Sequence, residues 1–164
     1  MTAASSRAWF SASIADFLET QPDAIVGRLA TNNAFTLLLT QKDAWLAQIG
    51  FLQAHLHGLT GSLFLEFNIP RMGRRIDTVL LIGPVLFVLE FKVGESAFER
   101  ASVDQVWDYA LDLKNFHEAS HSVSIVPILI ATGATKSTPS SLHADEDNVY
   151  RPILVHPTGF REAI

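Results

Sequence analysis

Hydrophobic residues recur along this chain with two different periods, and the change from one to the other divides it. Over the first forty residues the spacing is helical. Ser13 is placed to cap a short helix presenting Ile14, Phe17 and Leu18, and Pro22 suits the first turn of a second helix with Ile25, Val26 and Leu29 on one face. A third helix is predicted from a Thr40 cap to Gly58, with Ala44, Trp45, Ile49, Leu52 and Leu56 at helical spacing. The period then falls to two. Ser62–Met72 alternates through Leu63, Leu65, Phe67 and Ile69, Arg74–Ile82 follows, and Val85–Val93 comes after a Gly83-Pro84 turn. The last of these is apolar on both faces, as expected of a central strand covered on two sides.

Helical spacing returns over 101–117, where Val103, Val106, Ala110 and Leu113 mark the buried face. Val123–Ala131 reads as a fourth buried strand and Val149–His156 as a fifth. Gly133–Asn148, rich in Ser, Thr, Pro and Asp, reads as a surface loop. Three strands joined by short turns imply an antiparallel meander, and a helical crossover then brings the chain back to a further strand. The fold class predicted is α/β, a mixed β-sheet flanked by helices, with extra N-terminal helices.

Composition narrows the function classes. The 164 residues suit one domain, and 48% hydrophobic with 18% charged residues is a globular balance. The absence of cysteine removes disulfides and thiolate zinc sites and fits a cytoplasmic location. No apolar run approaches the roughly 20 residues that span a bilayer, so no membrane partner is expected. A net charge of −5 speaks against a broad nucleic-acid footprint, yet Arg71, Arg74, Arg75, Lys92 and Arg100 fall within one short stretch.

The chemistry gathers in the same stretch. Asp77 interrupts an apolar strand, and Glu90 and Lys92 end the most apolar strand in the chain. Charges in such places are costly unless paired or bound to a metal. Glu90 and Lys92 are two apart and project from one face, and a hairpin between the two strands brings Asp77 beside Glu90. Adjacent carboxylates repel, and a divalent cation between them relieves the repulsion. Oxygen ligands select Mg²⁺ or Mn²⁺. Such an ion can polarise a phosphodiester and activate water while Lys92 orients that water or steadies the developing charge. Glu66 on the preceding strand offers another carboxylate. Gln105 and Tyr109, at i and i+4 on the following helix, share a face and can reach a phosphate or a carboxylate.

An acidic residue on one strand, Asp77 on the next and Glu90-Phe91-Lys92 a dozen residues later resemble the PD-(D/E)xK superfamily, also called restriction-endonuclease-like. The residue before the motif Asp is Ile76 instead of proline. The Gln105-x-x-x-Tyr109 pair is similar to the extra motif of that superfamily's exonuclease-like branch. The stretches Ile69-Pro70-Arg71, Glu90-Phe91-Lys92 and Asp104 to Tyr109 resemble the N-terminal domain of bacterial Schlafen-like DNA/RNA helicase proteins. The resemblance implies an αβββαβ core over 40–132, a helical extension over 1–39, and a loop with an extra strand over 133–164. It also implies a metal held by Asp77, Glu90 and the backbone carbonyl of Phe91. Hydrolysis of nucleic acid, DNA before RNA, is the implied activity, with a C-terminal helicase domain as partner in the full-length protein. This chain carries no G-x-x-x-x-G-K-[ST] loop, so the motor would lie outside it. A homodimer stays open.

Plainer readings stand beside these. Asp77, Glu90 and Lys92 also fit a cross-strand ion network. Glu66, opposite Leu65 and Phe67, fits a solvated position, and Gln105 and Tyr109 a solvated helix face. Arg71, Arg74 and Arg75 either decorate a turn or contact phosphate. His117 and His121 would be an i, i+4 metal pair if the helix ran on, but no third ligand has a clear place. A non-catalytic nucleic-acid-binding or adaptor domain on the same fold is the alternative function.

Overall fold

The computed structural model describes residues 7–33, 36, 38–69, 72–135, 143–145 and 147–164. Its centre is a mixed sheet of six strands in sequential order. These are β1 (Ala8–Ser13), β2 (Ser62–Asn68), β3 (Arg75–Ile82), β4 (Val85–Lys92), β5 (Ser124–Ala131) and β6 (Ile153–Val155). The first four run antiparallel to their neighbours, whereas β5 lies parallel to β4 and β6 parallel to β5. The crossover between β4 and β5 is α4 (Arg100–Phe116), as a parallel connection requires.

Side chains sort into two layers. Phe87, Leu89 and Phe91 of β4 pack with α1 (Ile14–Glu19), α2 (Pro22–Asn32) and α3 (Leu39–His55) through Phe17, Ile25, Leu29, Ile49 and Leu52. Leu86 and Val88 point the other way and pack under Val106, Tyr109, Ala110 and Leu113 of α4. Each fully buried Leu, Ile or Phe contributes about 1.5–3 kcal/mol by leaving water. The chain closes with the short helix α5 (Phe160–Ala163), whose Phe160 seals the first layer.

Local chemistry accounts for the joints. Ser13 accepts from the Asp16 amide at 3.0 Å and caps α1 as expected. Gly83 takes φ +57 ahead of Pro84, the sign pattern of a II′ hairpin turn between β3 and β4. Pro127 is tolerated in β5 because β6 begins pairing only at Ile128, so no ladder bond is lost on that side.

Three expectations need correction. Residues 8–13 form a strand rather than helix, because they pair with the otherwise open edge of β2. Thr40 does not cap α3: the helix begins at Leu39 with no side-chain cap. The helical histidine pair does not form. α4 stops at Phe116, and His117 turns back to share a 2.6 Å hydrogen bond with Ser120. No helix among the described residues is long and apolar enough to cross a membrane.

Candidate active site

The ladder between β3 and β4 runs from Ile82 and Val85 to Thr78 and Leu89, and there it opens. Beyond that point the Phe91 N–H donates to Asp77 Oδ2 at 3.0 Å instead of to a β3 carbonyl. In an extended strand a residue's N–H and C=O point to the same side, so the Phe91 carbonyl also faces the opening. Glu90 and Lys92 alternate with Phe91 and project to the α4 side. Asp77, Glu90, Lys92 and the Phe91 backbone thus converge where two strands part.

Glu90 is buried, and Lys92 Nζ donates to its Oε1 at 3.2 Å. Its other oxygen, Oε2, is buried with no protein partner. Burial first, then the charge of Glu90, push the Asp77 carboxyl well above the usual carboxylate range. The Phe91 amide and Lys92 pull it back only in part, and Glu66 adds to the rise. Burial also raises Glu90, against the charge and hydrogen bond of Lys92. The metal-free pair therefore resists double ionisation more than two isolated carboxylates would. Burial lowers the Lys92 pKa, but the charge and hydrogen bond of Glu90, then Asp77 and Glu95, outweigh it, so the ammonium stays charged.

From α4, Gln105 Oε1 accepts from Lys92 Nζ at 3.2 Å, and Gln105 Nε2 donates to the Tyr109 hydroxyl at 2.7 Å. Burial and the neighbouring carboxylates keep Tyr109 a neutral phenol. The face shared by Gln105 and Tyr109 is therefore turned to the carboxylates, not to solvent.

Glu66 is held by partners that its neighbours in sequence do not announce. Its φ is +52, left-handed for a non-glycine residue. The backbone reversal slips the side-chain alternation, so that Leu65 packs in the α1–α3 layer and Phe67 in the α4 layer. Glu66 itself is buried, not solvated. Trp45 Nε1 donates to its Oε1 and Arg75 Nε to its Oε2, both at 3.0 Å. The Arg75 guanidinium also lies 4.2 Å from the Trp9 ring centroid, and Trp9 meets Trp45 edge to face. Two donors and two indoles fix this carboxylate one strand away from Asp77, where its charge still reaches the pair.

Of the three arginines expected to meet substrate, Arg75 is held by Glu66 and Trp9. Arg74 is exposed and lines a shallow cleft with Gln105, Asp108 and Tyr109 beside the carboxylates. Arg71 lies outside the described residues. Trp45 and Trp9 went unrecognised from the sequence; no local pattern ties an indole on a helix to a carboxylate 21 residues on.

Among the described residues no group of three or more His, Asp or Glu side chains has metal-ligand spacing. Two carboxylates, a backbone carbonyl and water are nonetheless a donor set that Mg²⁺ accepts, since it keeps several waters. The orphaned Glu90 Oε2 and the raised carboxyls of Asp77 and Glu90 fit a cation there. No family model matches the chain, and no curated protein or solved structure matches it.

Proposed function

We propose that this protein is a metal-dependent phosphodiesterase. More narrowly, it is a nuclease module of restriction-endonuclease-like kind that acts on DNA before RNA and works ahead of a helicase domain. The observation that carries this reading is the meeting of Asp77 and Glu90 at the opened end of β3 and β4, with one carboxylate oxygen unpartnered and a charged Lys92 alongside.

Asp77, Glu90 and the Phe91 carbonyl would hold Mg²⁺ or Mn²⁺. When bound, the ion supplies Lewis acidity toward a phosphate oxygen and a lowered pKa for water. The chain's own groups do the rest. Lys92, fixed by Glu90 and Gln105, presents a permanent positive charge where negative charge develops on the phosphate. Gln105 and Tyr109 hold that ammonium in place, and Arg74 meets an adjoining phosphate. Glu66 stabilises the strand geometry that brings Asp77 to Glu90.

The test is incubation of the purified chain with labelled single- and double-stranded DNA and RNA in Mg²⁺ or Mn²⁺, with EDTA as control. Cleavage is expected with metal and is lost in Asp77→Ala and Lys92→Ala. Cleavage that survives both substitutions ends the proposal. Binding without cleavage favours the non-catalytic alternative.

A further inference from the structure

A second cleft lies on the α4 side of the sheet, about 740 Å³ in volume and lined by Arg7, Asn115, Phe116, His117, Glu118 and His121. Its position relative to the carboxylates follows from the strand ladders. The Asn68 amide donates to the Arg7 carbonyl at 2.7 Å, and Asn68 pairs with Arg75, two residues before Asp77. Arg7 thus sits two strands across and two residues along from Asp77, on the order of 12 Å away at ordinary sheet spacings. His117 meets the ring of Phe67 edge-on at 5.5 Å, on the same face as Glu90 and Lys92. Arg74 stands by the carboxylates, so one arginine marks each end of this interval.

The lining is suited to one chemistry. Phe116 is 45% exposed, a large apolar ring left in water at the end of a helix. Arg7 is exposed and makes no ion pair among the described residues. Asn115 is exposed and can pair with a base edge. His117 is held neutral by burial, Arg7 and His121, so it offers a hydrogen bond rather than charge. Among the described residues Glu118 is the one acidic group in the lining.

We propose that this cleft is a subsite for single-stranded nucleic acid, which stacks a base on Phe116 and sets a phosphate on Arg7 while the chain continues past Arg74 to the carboxylates. The proposal rests on the nuclease reading and names its substrate class. A duplex fits less well, because its bases are already stacked and cannot reach Phe116. Asp104 and Asp108 are also exposed on α4 beside Arg74, where they would repel a second phosphate backbone.

The experiment is fluorescence anisotropy of a labelled twelve-nucleotide oligothymidylate and of a duplex of equal length, in EDTA, over a series of salt concentrations. The single strand should bind at least about tenfold more tightly than the duplex. Phe116→Ala should weaken it by about tenfold with an unchanged salt slope, and Phe116→Trp should restore binding. Arg7→Ala should reduce the slope of log K against log salt by about 0.7. Both positions are exposed, and thermal melts of each variant check the fold. Equal binding by wild type and Phe116→Ala, duplex binding as tight as single strand, or no binding at all overturns the proposal. Mn²⁺ calorimetry on the same proteins, dialysed free of EDTA, separates the two readings: metal uptake without oligonucleotide binding removes the cleft and leaves the nuclease site standing.

Discussion

Replacing Asp77 with asparagine should make the metal-free protein more stable while removing its response to divalent cations. Asp77 and Glu90 form a carboxylate pair with too little solvent to ionise freely. Two unit charges about 4 Å apart at an effective dielectric of about 20 repel by about 4 kcal/mol. Keeping a carboxyl protonated at neutral pH costs a similar amount, about 1.4 kcal/mol for each pH unit above its ordinary value. Asparagine removes the choice. Its carbonyl still accepts from the Phe91 N–H, and its amide can donate to the unpartnered Glu90 Oε2, at a loss of about 1 kcal/mol in charge assistance. A net gain of about 3 kcal/mol remains, which in a chain of this size raises Tm by about 9 °C. Wild type should gain about 2.7 kcal/mol from Mn²⁺ at a hundred times its Kd, and the variant nothing. Differential scanning calorimetry with and without Mn²⁺ measures both effects. A metal-free variant that melts below wild type, or one that Mn²⁺ still stabilises, refutes the account of the pair.

Because Asp77 and Glu90 are both raised, the pair favours folding below ordinary carboxylate pKa values, and that contribution is lost as pH rises through their elevated ones. Metal-free Tm plotted against pH should therefore fall over that window in wild type and stay flatter in Asp77→Asn. Cation binding should displace protons from the pair, so Mn²⁺ affinity climbs with pH and calorimetry in buffers of different ionisation enthalpy reads the release. Trp45→Phe leaves Glu66 Oε1 buried without its donor, and chemical denaturation should show a loss of about 2 kcal/mol. Lys92→Met keeps the stem but not the charge; it should abolish turnover and retain Mn²⁺ binding, a split that calorimetry and a cleavage assay read together.

The elements that were legible in the sequence are those whose own residues dictate them. β4 is apolar on both faces because it is covered on both, and α4 carries its buried stripe at helical spacing. The pairing of Asp77 with Glu90–Lys92 followed from strand alternation and a tight turn. β1 was missed because Ala-Trp-Phe-Ser-Ala-Ser has little strand character alone, and only the edge of β2 makes it a strand. The burial of Glu66, against its plainer solvated reading, was hidden because a left-handed residue inside a strand has no sequence signature. Its reversal is held by partners far away in the chain, Trp45 at 21 residues and Arg75 at 9.

α4 has a consequence for how the substrate would be measured out. Gln105 at one end braces Lys92, and Phe116 at the other borders the second cleft, and both belong to one uninterrupted rod. Their separation of eleven positions fixes a span of about 16 Å. A strand gripped at both ends would be cut at a constant offset from the gripped base. Fragments would then step down in uniform increments, and a one-residue insertion in the helix would shift the whole series.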